Sequence, residues 1–214
     1  MNSRTLTFST YNCKHFKEQR IDYCKEVLHV SDVLFLQEHC LYENQFSDFN
    51  KLGDIGYTGV SSMDQNVQLV GRPYGGCAII WKNSLNCKFK PVVCDTSRIC
   101  AGILTFDGYY ELLLINVYLP CDDRYRSGNY FDLVDTLSQI SCIIGDCEVN
   151  SILLAGDFNC DFSRNSPHVA AVREFIAAND LFLCLNHPTS DVDYTFECKA
   201  SGSFSLIDHF AVSK

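Results

Sequence analysis

The chain has 214 residues, with 17 Lys and Arg against 26 Asp and Glu, a formal charge of −9 at pH 7. A 47% hydrophobic share with 20% charged residues excludes disorder and is enough for one domain, 1–214, with a substantial core. No stretch approaches the roughly 20 uninterrupted apolar residues of a membrane span, and the acid excess argues against diffuse attraction to nucleic acid or anionic membrane. The first residues lack the apolar core of a secretory leader. Thirteen cysteines, an odd number without any Cys-x-x-Cys, read as reduced core residues of an intracellular protein.

Apolar periodicity places a first strand at Leu6–Tyr11 and a helix at Phe16–His29. A second strand follows at Asp32–Gln37, too continuously apolar to be half exposed. Residues 42–75 read as a short helix and a long surface loop. Strands are expected at Cys77–Trp81, Ile99–Phe106 and Tyr110–Tyr118, the last two joined by an Asp107-Gly108 hairpin turn. A helix over Ser127–Cys147, a buried strand at Ser151–Ala155 and a helix over Pro167–Asn179 come next, the Pro sitting where a first turn tolerates it. Asp193–Phe196 and Phe204–Val212 close the chain. Hairpin and crossover connections together imply a mixed α/β sandwich rather than a doubly wound sheet.

Polar residues stand where these strands end: Asn12, Glu38, Tyr118, and Asp157 with Asn159 around Phe158. Each has an ordinary structural explanation, a turn, a cap or a packed ring. As a set they fit chemistry on phosphoesters, because ligands bind beyond the carboxyl ends of strands in α/β sheets. Glu38 offers hard oxygen to Mg²⁺, and Asn12 supports it as a neutral ligand or hydrogen-bond donor. Asp157 is placed to orient and deprotonate a water, with Asn159 and Tyr118 donating to phosphate oxygens.

The segments Thr10-Tyr11-Asn12, Leu36-Gln37-Glu38, Asn116-Val117-Tyr118-Leu119-Pro120 and Gly156-Asp157-Phe158-Asn159 resemble, in this order, the endonuclease/exonuclease/phosphatase family. Arg72-Pro73-Tyr74-Gly75-Gly76 through Trp81, and Ser205-Leu206-Ile207-Asp208-His209-Phe210, are most similar to the endonuclease domains of non-LTR (LINE-type) retrotransposons, relatives of the apurinic/apyrimidinic nucleases. The resemblance implies a four-layered α/β sandwich of two packed mixed sheets flanked by helices. It also implies Mg²⁺ dependence, with Mn²⁺ as a substitute, and nicking of DNA in the nucleus beside a reverse transcriptase domain of a longer parent protein. Glu38 and Asn12 would then serve the metal, Asp157 and Asn159 the water, and Tyr118 the phosphate.

By the same resemblance Asp208 belongs to the family's penultimate strand, where an Asp orients the catalytic His of a final Ser-Asp-His strand. Adjacent strand residues face opposite sides, so His209 is not expected in the site, and the chain reads as short of that final strand. Lys14 stands where the repair nucleases carry an acid. Lys14, Lys17, Arg72, Lys82, Arg124, Arg126 and Arg164 are expected in or near strand-exit loops, with Arg124 and Arg126 the candidate phosphate contacts. His15, His29, His39, His168 and His187 read as surface or packing residues, His39 being the exception to watch beside Glu38. Two other readings stay open: a phosphatase of the same fold acting on a phosphoester other than DNA, and a non-catalytic remnant.

Overall fold

The computed structural model of the chain describes residues 5–61, 75–106, 109–122 and 128–214. Arg72, Pro73, Tyr74, the Asp107-Gly108 turn, Arg124 and Arg126 lie outside the described residues.

The first sheet is built from β1 (Phe8–Asn12), β2 (Val33–Gln37), β3 (Ile55–Gly59) and β4 (Cys77–Lys82), in the order β1-β2-β4-β3. β1 and β2 run parallel, in register from Phe8 opposite Val33 to Asn12 opposite Gln37, so Asn12 and Glu38 leave the sheet at the same end. The crossover between them is helix α1 (Gln19–Val30). It starts three residues later than the expected Phe16 because the main chain before it is committed elsewhere. His15 N–H donates to Glu38 O at 2.7 Å and Phe16 N–H to His39 O at 3.0 Å, binding the β1 exit to the β2 exit.

The second sheet holds β5 (Lys88–Val92), β6 (Ile99–Phe106), β7 (Tyr110–Tyr118), β8 (Ser151–Asp157), β9 (Leu181–Leu183) and β12 (Asp208–Ser213), ordered β5-β6-β7-β8-β12-β9. β10 (Phe196–Cys198) and β11 (Ser203–Ser205) form a separate hairpin. β7 and β8 are parallel, with helix α2 (Gly128–Asp146) as their crossover, and helix α3 (Pro167–Ala178) follows β8. Ser166 caps α3 by accepting from Val169 N–H, and Pro167 takes the first turn.

Alternation divides the apolar side chains among three layers of core. Val33 and Phe35 of β2 face the second sheet and pack with Ile79, Leu104, Leu114 and Ala155. Leu34 and Leu36 face the other way, onto Cys24 and Leu28 of α1 and Phe49 of the 3-10 helix Glu43–Leu52. The outer face of the second sheet, with Leu113, Ile115 and Val117, is covered by Leu133, Leu137 and Ile140 of α2 and Val172, Phe175 and Ile176 of α3. Helices, sheet, sheet and helices make the expected four layers.

A buried polar tie fixes the two sheets against each other. Asn116 of β7 donates through Nδ2 to Leu36 O at 2.9 Å and Ala78 O at 2.8 Å, and accepts from Gln37 Nε2 at 2.6 Å. A mis-set sheet would leave these groups unpaired in the core, so the network specifies one packing.

Several expected boundaries shift. The strand read at Asp193–Phe196 is β10, beginning at Phe196, and Phe204–Val212 is broken into β11 and β12. The break has a local cause: Thr195 Oγ1 accepts from Ile207 N–H and Asp208 N–H, both at 3.1 Å, while Ile207 O accepts from Phe158 N–H. Lys82 is displaced from its expected place. β4 runs antiparallel to β2, so Lys82 lies beside the start of β2, at the end of the sheet remote from Glu38.

Candidate active site

Three strand exits meet at Asn12. Its Nδ2 donates to Glu38 Oε1 and to Asp157 Oδ2, both at 2.8 Å, joining residues 26 and 145 positions away. Lys14 N–H donates to Asn12 Oδ1 at 3.1 Å, which orients the amide with its N–H groups toward the carboxylates. Asn12 therefore stands as a hydrogen-bond donor, one of the two roles its residue type allows.

Asp157 ends β8 and is 3% exposed. Its Oδ1 accepts from Asn159 N–H at 2.9 Å. Burial, reinforced by the carboxylate of Asp208, raises its pKa to about 7, against the hydrogen bonds from Asn12 and Asn159. Asp208 lies opposite Asp157 in the β12–β8 pairing, and burial raises its pKa too. Its Oδ1 is buried without a hydrogen-bond partner among the described residues. Tyr118, last residue of β7, faces Glu38. Burial and the Glu38 and Asp157 carboxylates push its phenol up, so it stays a hydrogen-bond donor. Asn159 uses Nδ2 on Leu119 O at 2.8 Å, bracing the β7 exit against the β8 exit.

The structure thus brings Asn12, Glu38, Tyr118, Asp157, Asn159 and Asp208 together at one end of the sandwich. The backbone there is held in conformations L-residues rarely adopt, with φ of 50° at Glu38, 57° at Cys40 and 49° at Asn159. Hard oxygen from Glu38, Asp157 and Asp208, one of them lacking a partner, fits Mg²⁺. No three His, Cys, Asp or Glu side chains among the described residues gather closely enough to cage a metal. Mg²⁺ keeps several waters and is held through one or two carboxylates, so Glu38 with one neighbouring carboxylate would be enough to hold it.

The whole of this site lies inside a stretch, residues 9–214, that matches the model of the endonuclease/exonuclease/phosphatase family. The chain belongs to that family. Solved structures of the same fold include an AP endonuclease from Archaeoglobus fulgidus, with a TM-score of 0.69 at 18% identity, covering 98% of this chain and 87% of that one. A mannosyl-6-phosphatase from Bacteroides thetaiotaomicron gives 0.65 at 19%, covering 98% and 85%. The 3′ phosphatase NExo (D146N) from Neisseria, bound to product DNA hairpin, gives 0.63 at 19%, covering 98% and 87%. No curated protein sequence matches the chain at a significant level. Family membership makes this a phosphoesterase fold, the class that embraces nucleases and phosphatases. No helix among the described residues is long and apolar enough to cross a membrane.

Two neighbours of these residues, Arg98 and Thr195, were not singled out from the sequence. Arg98, before β6, stacks its guanidinium over the Tyr118 ring at 5.4 Å and donates to Tyr118 O at 3.2 Å. Thr195 caps the start of β12 beside Asp208. His39 and His209 each follow a site carboxylate, and each is buried on the opposite side. His209 faces away from Asp208, with Nε2 2.9 Å from Cys160 O between the Phe158 and Phe162 rings. Burial lowers the pKa of both, His39 to about 4, so both are neutral at pH 7. Of the basic residues, Lys14 lies at the site, its Nζ 4.6 Å from the Phe196 ring and its charge favouring ionised Asp208. Arg164 is turned to Ser205 and Asp161.

Proposed function

We propose that the chain is a Mg²⁺-dependent phosphodiesterase acting on DNA, like the nicking endonuclease domain of a non-LTR retrotransposon, working in the nucleus beside a reverse transcriptase domain. The observation that carries the reading is the single amide of Asn12 holding Glu38 and Asp157 together. Bound at Glu38, Mg²⁺ would supply positive charge to offset that building on the phosphate. Asp157, whose proton affinity is raised into the neutral range, takes the proton of an attacking water, and Asn12 with Asn159 N–H keeps its carboxylate aimed. The water oxygen bonds to phosphorus as the bond to the leaving sugar oxygen breaks. Tyr118 donates to a phosphate oxygen. Arg124 and Arg126 belong to this proposal as phosphate contacts, and the NExo complex with DNA supports a DNA substrate.

One observation favours a second reading, that of an impaired site. β1 is an edge of its sheet, and its outer side lines a cleft of about 1140 Å³ that also contains Asp157, Asp208 and Phe210. An edge strand beside a buried carboxylate oxygen that has no partner among the described residues supports a site still lacking the group that would pair with Asp208.

A substrate panel tests both. Incubation with Mg²⁺ and supercoiled plasmid, inositol phosphates or a sugar phosphate should relax the plasmid alone. Turnover of inositol or sugar phosphate with intact plasmid overturns the DNA reading. Relaxation that appears only when a Ser-Asp-His strand is supplied identifies the impaired site.

A further inference from the structure

We propose that His39 is a positioning residue for Glu38, anchoring the exit of β2 so that the carboxylate stays aimed at the site. The inference rests on the proposed metal role of Glu38. Glu38 and Cys40, on either side of His39, both hold left-handed φ, a conformation that costs about 1–2 kcal/mol per L-residue and relaxes unless opposed. Glu38 itself ends no helix and pairs in no sheet. His15 N–H on the Glu38 carbonyl and Asn12 on its carboxylate oppose relaxation directly, and the residue between the two strained positions adds a further hold.

His39 is fully buried, and its ring works at two corners. Nδ1 accepts from Leu41 N–H at 3.0 Å, which leaves Nε2 as the protonated nitrogen. Nε2 donates to Val60 O at 3.1 Å, just beyond β3. The ring thus pins the β2 exit to a strand two places across the sheet. Phe46 and Phe49 meet it edge-on, at 5.7 and 5.4 Å between centroids. Gly76, at φ +86°, leaves it room: a Cβ there would come 2.6 Å from the ring. The main chain of His39 is held as well, by Gly76 O and Phe16 N–H. A ring fixed on every side has no slack to pass to its neighbour, and ligand-orienting contacts of this kind are worth about 10–100-fold in metal affinity.

The test is Mn²⁺ binding, read from the spin resonance of the free ion well below each variant's melting temperature, beside the melting temperature itself. Glu38→Gln should lose Mn²⁺ affinity. His39→Asn keeps an acceptor for Leu41 N–H but loses the reach to Val60, and should weaken Mn²⁺ by about tenfold or more. His39→Gln, whose amide reaches Val60 O, should recover to within about threefold of the native chain. A purely packing role would lower the melting temperature of His39→Asn and leave Mn²⁺ affinity unchanged, which overturns the inference. If Glu38→Gln binds Mn²⁺ as the native chain does, the metal site itself is wrong and the inference falls with it. If Glu38→Gln loses binding and His39→Asn keeps it, only the role of His39 falls.

Discussion

Asp208 stands directly opposite Asp157 in the antiparallel pairing of β12 with β8, so two buried carboxylates share one face of neighbouring strands. Two negative charges so placed cannot both ionise cheaply, even with the Lys14 charge favouring ionised Asp208. Burial and this mutual repulsion hold a proton on the pair, and Asp157 reaches a pKa of about 7.

That proton makes metal-free stability depend on pH. A carboxyl whose folded pKa lies above its unfolded value stabilises fully below about pH 4 and loses that contribution as pH rises through about 7. His39 runs the other way: with its folded pKa lowered to about 4, its contribution is present above about pH 6.5 and lost on acidification. The Asp157→Asn variant separates the two. By scanning calorimetry without metal, the native melting temperature should fall relative to that variant between pH 4 and 7. A difference that stays constant over this range contradicts the assignment.

Gly156 has φ +139°, and a Cβ on it would lie 2.1 Å from Val117 O of β7. Gly156→Ala forces β8 away from β7 just before Asp157 and beside Tyr118. Overpacking of this kind costs about 1–3 kcal/mol, with the backbone penalty in addition. Urea unfolding should show at least that loss.

Asn116→Leu removes the donor to Leu36 O and Ala78 O and the acceptor for Gln37. Buried groups left without partners cost about 1–3 kcal/mol. The variant should unfold at lower urea with an unchanged slope, the sign that stability and not compactness has altered.

Arg98→Lys keeps the charge beside Tyr118 but gives up the flat guanidinium over its ring. Such stacking contributes about 0.5–2 kcal/mol, so the melting temperature should fall by a few degrees at most, while phosphoester turnover should drop by about tenfold if the stack also orients Tyr118. A full-rate Arg98→Lys enzyme would show that the stack does not hold Tyr118.

Strands with continuous apolar runs were legible in the sequence. β6 and β7 fall at the expected Ile99–Phe106 and Tyr110–Tyr118, because both lie deep in a sheet with little choice of register. The missed strands are those whose composition hides them. β5 reads Lys-Phe-Lys-Pro-Val, an edge strand where proline is tolerated. β3 contains Gly56, needed because a side chain there would meet the Trp81 ring. β9 has only three residues.

The residues that meet at the strand exits were legible because a polar residue ending an apolar strand breaks the pattern. The residues that support them were not. His39 stands out in sequence only as the neighbour of Glu38 and His209 as a residue outside the site, and the fold shows that each ties an exit loop to a carbonyl elsewhere. Arg98 is one basic residue among many until Tyr118 is found beneath it. Asn116 belongs to the Asn116-Val117-Tyr118-Leu119-Pro120 segment, yet its work is to join the two sheets.

The most direct test of the account is relaxation of supercoiled plasmid by the native chain and by Asp157→Asn, each with Mg²⁺ and with EDTA. The account predicts nicking that requires Mg²⁺ and falls by about 10²–10⁴-fold in the variant, as removal of a general base should produce. Nicking that survives EDTA, or that proceeds equally in Asp157→Asn, would contradict it.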